Sequence, residues 1–125
     1  MPHEQANPEM QDCIETCLDC FRICQQTALQ HCLKVGGKHT DQDHFRLMMD
    51  CAEICRSAAT LMLNGSPFHS QLCGVCAEIC RACAESCKGM DGMEDCARTC
   101  EHCADSCGRM AGMGGAGGTS SSREQ

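Results

Sequence analysis

Large apolar side chains are scarce in this sequence of 125 residues, which has no Trp, no Tyr and only three Phe. Two Val, four Ile and seven Leu bring the aliphatic and Phe total to 16, below the roughly 20% of a self-sufficient core. A conventional aliphatic core is therefore not expected. Long basic runs are missing too. Ten Lys and Arg face 17 Asp and Glu, a formal charge of −7, so nothing follows a phosphate backbone and nucleic acid is not an expected partner. No stretch approaches the roughly 18 apolar residues of a membrane span. The segment Met1 to Glu9 lacks the basic and apolar regions of a secretory signal. The expected location is the cytoplasm, where reduced thiol pools make structural disulfides rare. β-branched residues are few and no period-two pattern occurs, so strands are not expected.

Sulfur is abundant instead. The 16 Cys equal all Val, Ile, Leu and Phe in number, and nine Met accompany them. Kept as thiols, so many cysteines suggest metal more than cross-links.

Four segments carry helical periodicity. After an N-terminal segment, residues 1–8, the first helix spans about 9–35, with Asn7 as N-cap and Pro8 at its first position, and Gly36-Gly37 stops it. The second spans about 41–64, from Asp41 to Asn64-Gly65. The third, about 67–88, opens at Ser66-Pro67 and ends at Gly89; the fourth, about 92–110, opens at Asp91-Gly92 and frays after Gly108. Residues 112–125 are rich in Gly and Ser and read as a flexible tail. Short connections between helices of similar length predict an all-α fold, an antiparallel up-down four-helix bundle over residues 9–111.

The cysteines follow one rule of spacing. Cys13, Cys17, Cys20 and Cys24 lie on the first helix, Cys51 and Cys55 on the second. Cys73, Cys76, Cys80, Cys83 and Cys87 lie on the third, and Cys96, Cys100, Cys103 and Cys107 on the fourth. Steps alternate between 3 and 4, the inward seam of a bundle helix. Cys32 alone is off register, because the seam of the first helix continues to His31. The other seam positions carry His44, Met48, Ala58 and Met62 on the second helix and His69 on the third. Met93, Met110 and Met113 bracket the fourth. Ile14, Leu18 and Phe21, with Leu72, Val75 and Ile79, form a second stripe expected to seal helix against helix. His3, His39 and His102 are expected at solvated or loop positions.

Seven pairs of cysteines stand four apart, with Cβ atoms roughly 5–6 Å apart on one helix face. Two ligands from one helix suit a low coordination number, and soft thiolate and thioether donors select Cu(I). Structural zinc needs tetrahedral sets of four, into which four continuous seams do not divide. A buried Cys also behaves as a small hydrophobe, but 15 on seams exceed what core filling requires. The Cys-x-x-Cys pairs are the 3-steps of the alternation rather than zinc ribbons or redox motifs. The bacterial ferredoxin run and the Glu-x-x-His motifs of di-iron bundles are both absent. A general zinc or cadmium buffer, and a thiol redox or iron–sulfur protein, remain the competing classes.

Repeated Cys-x-x-x-Cys motifs, such as Cys76-Ala77-Glu78-Ile79-Cys80 and Cys83-Ala84-Glu85-Ser86-Cys87, make residues 9 to 113 closely resemble the bacterial copper storage proteins. The resemblance implies a non-enzymatic store that holds many Cu(I) ions per chain through Cys thiolates, with His and Met ligands at the bundle ends. It also implies a leaderless cytosolic type that assembles as a tetramer, with a copper chaperone or cuproenzyme as possible partner. The antiparallel arrangement places Cys13, Met62, His69, Cys73, Cys107, Met110 and Met113 at one end. It places His31, Cys32, His44, Met48, Cys87, Met93 and Cys96 at the other. Neutral donors bind Cu(I) more weakly than thiolates, so entry is expected at the first end.

Overall fold

The structure, a computed structural model, describes residues 7–116, with side chains to residue 112. Four helices form it. Asn7 caps α1: its Oδ1 accepts from the backbone N–H of Glu9 and Met10 at 3.0 and 3.4 Å, and Pro8 fills the first position, where a missing N–H costs nothing. α1 runs regularly over Pro8–Thr27, passes through one π-helical turn, Ala28–Cys32, and ends with Leu33–Val35. A 3₁₀ turn, Gly37–Thr40, leads to α2, Gln42–Leu63. α3 is His69–Cys87 and α4 is Glu94–Ala116. Each helix packs on its neighbour in the chain, and α1 against α4 closes the ring. The result is the all-α, antiparallel four-helix bundle expected from the short connections.

The helix ends differ in instructive ways. α3 starts at His69, because Ser66 Oγ accepts from the Phe68 N–H at 3.0 Å and holds Pro67-Phe68 in a turn. α4 starts after Gly92, whose φ of 79° is outside the helical range. It then continues through Gly108 and Gly112 to Ala116, beyond the fraying expected at Gly108. Residues 117–125 of the expected tail, with His3, lie outside the described residues.

All sixteen cysteines are buried, together with Met48, Met62, Met93 and Met110. The expected aliphatic seal is corrected. Of its six members only Ile14 is buried; Leu18 and Val75 are 39% and 44% exposed, and Phe21, Leu72 and Ile79 are half-buried. Phe21 and Ile79 still pack against the core, but alanine takes the most buried sealing positions. Ala52, Ala77, Ala84, Ala97 and Ala104 each follow a cysteine directly and are buried. A methyl group fits the line where two helices approach, whereas a longer side chain there must turn outward.

Candidate metal centre

The four seams bring their sulfurs onto one continuous axis. At the end formed by the start of α1 and the end of α4, Cys107 Sγ lies 3.7 Å from Cys13 and 3.3 Å from Cys17. Further in, Cys103 is 3.8 Å from Cys17 and 3.7 Å from Cys55. Cys55 is 3.6 Å from Cys76 and 3.4 Å from Cys80, which is 3.6 Å from Cys51. Cys20 is 3.8 Å from both Cys51 and Cys100. Cys24 then reaches Cys100 at 3.5 Å and Cys96 at 3.6 Å. Three of the pairs four residues apart also close on themselves: Cys20–Cys24 at 3.9 Å, Cys76–Cys80 at 3.7 Å and Cys103–Cys107 at 4.0 Å.

Groups of these sulfurs lie within 4.8 Å of one another in four sets, Cys13/Cys73/Cys107, Cys17/Cys76/Cys103/Cys107, Cys20/Cys55/Cys80/Cys103 and Cys20/Cys24/Cys51/Cys100. Cys20, Cys103 and Cys107 each belong to two sets. Isolated tetrahedral sites would not share ligands. A chain of shared thiolates suits bridging between neighbouring monovalent soft ions, and the donors are sulfur throughout, which favours Cu(I).

Cys32, Cys83, Cys87 and Cys96 stand outside the four sets. Thioethers occupy this part of the axis: Met48 Sδ is 3.7 Å from Cys83, 3.5 Å from Cys87 and 3.9 Å from Cys96. Cys32 Sγ is 3.8 Å from Met93 Sδ and 4.0 Å from His44 Nε2. The π-turn brings Cys32 here. Its extra residue per turn moves the seam from Cys24 through buried Ala28 to Cys32, where a regular helix would have presented His31. The expectation for position 32 is thereby corrected.

His31 turns instead to the connection between α3 and α4. Its Nε2 lies 3.2 Å from the Asp91 carbonyl, and His39 Nε2 lies 3.0 Å from the same oxygen. A carbonyl only accepts, so both rings donate from Nε2. The two rings pack edge to face at 5.3 Å. His39, expected at a solvated or loop position, does lie in the connection Gly37–Thr40 but is only 7% exposed. No local spacing signals this contact, because it forms between two connections that meet only in the folded bundle. His69 Nδ1 is 2.9 Å from the Ser66 carbonyl, and Met62 and Met110 are buried at that same end. His102 is exposed as expected; the Met113 side chain lies outside the described residues.

Hydrogen bonding among the thiols divides their proton affinities. Bonds from Cys100 to Cys24, from Cys103 to Cys55 and Cys107, and from Cys20 to Cys100 are the leading cause pushing those thiols up. Bonds from Cys100 to Cys20 and Cys51, and from Cys107 to Cys103, pull their partners down. Burial pushes upward throughout. The metal-free axis therefore shares protons that an entering cation must displace. Cys32 is raised by burial, then by the charges of Cys96 and Cys83. His44 is lowered by burial and then by His39, so its ring is held neutral with a lone pair available.

The copper storage protein family model matches residues 6–112. The crystal structure of the Nmul_A1745 protein from Nitrosospira multiformis is 53% identical, with a TM-score of 0.83 over 84% of this chain and 96% of that one. The Cu(I)-bound copper storage protein BsCsp3 is 36% identical, with a TM-score of 0.75 over 82% of this chain and 98% of its own. An uncharacterized cysteine-rich protein of Bacillus subtilis, YhjQ, is 38% identical over 60% of this chain and 68% of its own length. With the family model spanning nearly the whole bundle and the thiols shared along its axis, this chain belongs to the copper storage protein family.

Proposed function

We propose that this protein stores many Cu(I) ions per chain inside its bundle, buffering cytoplasmic copper and holding it for cuproenzymes. The observation that carries this reading is the sharing of Cys20, Cys103 and Cys107 between thiol sets, which gives a continuous row rather than separate sites. Cys13, Cys17, Cys20, Cys24, Cys51, Cys55, Cys73, Cys76, Cys80, Cys83, Cys87, Cys96, Cys100, Cys103 and Cys107 are the proposed thiolate ligands along that row. Met48 supplies a thioether within it. The role is binding rather than catalysis, since every donor serves to hold a closed-shell soft ion. No helix among the described residues is long and apolar enough to cross a membrane. Location in the cytoplasm, assembly as a tetramer, and a chaperone or cuproenzyme as recipient belong to the same proposal.

Entry is assigned to the end that carries Met62, His69 and Met110. Support comes from the opposite mouth, where His31 of α1 and His39 of the connection that follows it both bond one Asp91 carbonyl. Anaerobic titration of the reduced protein with Cu(I), against a competing chelator, tests the storage reading. On the order of one ion per thiol is expected. A few tetrahedral Zn²⁺ bound in preference to Cu(I) would refute it.

A further inference from the structure

The outer line where α1 meets α4 is polar, unlike the lines sealed by alanine. On α1 the residues directly before Cys17, Cys20 and Cys24 are Thr16, Asp19 and Ile23; on α4, Thr99 and His102 directly precede Cys100 and Cys103. Together with Arg22, Gln26 and Arg98 they line a cleft of about 590 Å³, a volume in the range of small-molecule sites. We propose that this groove binds a short zwitterionic peptide, its ammonium group at Thr16 and Asp19 and its carboxylate between Arg22 and Arg98. No thiol takes part, so the site is independent of the storage reading.

The charges are ordered along the groove. Contacts of Cys20 with Cys100 and of Cys24 with Cys96 fix the register of the two antiparallel helices. At that register Arg22 stands level with Arg98 on the opposite wall. Thr16 lies about 9 Å along the axis from Arg22. An extended tripeptide reaches about 10 Å, so its two termini match the two ends of the groove.

The donors and acceptors match as well. Thr16 is buried and its hydroxyl donates to the Asp12 carbonyl at 2.8 Å, so towards a ligand it only accepts. Asp19 Oδ1 accepts from Arg22 at 2.8 Å, which leaves the second carboxylate oxygen for an ammonium group. Arg22 spends one of its five N–H donors on that pair. Arg98 pairs with Asp95, which does not line the groove. Both ion pairs are exposed and link residues three apart on one helix, so each is worth little. A carboxylate that bonds two guanidinium groups at once gains more than it displaces. Between the charged ends, the Thr99 hydroxyl and the Gln26 amide both donate and accept, as a peptide group requires. A ligand held by both helices also favours the closed ring, so binding stabilises the folded chain.

The test titrates the ¹⁵N-labelled, reduced, metal-free full-length protein with triglycine. Saturable amide shifts are expected along Thr16 to Gln26 and Arg98 to His102, with a rise in melting temperature. N-acetyl-triglycine lacks the ammonium group and triglycine amide lacks the carboxylate; each should bind about tenfold more weakly, having lost one charge-assisted contact. Arg22→Gln and Arg98→Gln should each weaken triglycine by about tenfold too. Both side chains are exposed, so these variants are expected to fold, and circular dichroism checks that they do. Arg81→Gln, an exposed position on α3 away from the groove, should bind as the wild type does. No saturable shift up to the solubility limit of triglycine, equal binding of the blocked peptides, or an affinity unchanged by Arg98→Gln would overturn the site. None of these outcomes touches the thiols, so the copper count stands or falls on its own titration.

Discussion

Replacing Cys103 with Ala removes one sulfur from two thiol sets at once, Cys17/Cys76/Cys103/Cys107 and Cys20/Cys55/Cys80/Cys103. Its Sγ stands 3.8 Å from Cys17, 3.7 Å from Cys55 and 4.0 Å from Cys107, so the substitution opens the middle of the row. Cys24→Ala is the matched comparison, because Cys24 is equally buried but serves one set. If sulfurs bridge neighbouring ions, Cys103→Ala should lose about two Cu(I) per chain and Cys24→Ala about one. Both variants delete a single buried atom, so each metal-free protein should be weakened by only about 1 kcal/mol. The corresponding fall in melting temperature is about 4–8 °C. Anaerobic Cu(I) titration against a chelator counts the ions, and circular dichroism melts of the metal-free forms check that folding is not the cause. Equal losses of copper from the two variants would refute bridging, because each thiol would then serve a site of its own.

Acid should destabilise the metal-free bundle through His44. Burial lowers its folded pKa below the usual 6.5, so the unfolded chain takes up a proton first, and stability present above pH 6.5 is lost as pH falls through the folded value; urea midpoints at pH 7.5 and 5 measure this. Alkali acts on the thiols in the opposite sense. The bond with Cys107 is the largest single influence on Cys73 and lowers it, but the bond with Cys13 and burial together outweigh it and push Cys73 up to about 12, so its contribution is complete below pH 9 and fades as pH rises towards 12. Gly92→Ala should unseat the His31 contact, since a Cβ there would stand 2.6 Å from His31 Nε2. Gly89→Ala shares the positive φ but meets nothing within 4 Å; both should cost about 1–2 kcal/mol in backbone strain, with a further loss confined to Gly92→Ala in thermal melts. Asn7→Ala should cost about 1 kcal/mol through the lost cap, visible as fraying in amide exchange of the first turn of α1.

Much of the site was legible before any coordinates, and for a definite reason. A seam needs only local spacing, because steps of 3 and 4 keep side chains on one face of a helix whatever it packs against. Fifteen cysteines, with His44, Met48, Met62 and Met110, could therefore be placed inward from the sequence, as could the four helices and their antiparallel order. What local spacing does not carry was decided by packing. Nothing in the residues around Cys32 announces a π-turn, which puts Cys32 rather than His31 on the inner line beside Met93 and His44. The close approach of the helices places Ala after five of the thiols, at positions 52, 77, 84, 97 and 104, and turns Leu18 and Val75 outward, although either could seal an interface by composition alone. His39 and Asp91 are 52 residues apart and meet because two connections cross the same mouth. The sequence by itself determined that the axis is sulfur; only the tertiary structure decided which sulfurs are shared, and where imidazole and thioether replace them.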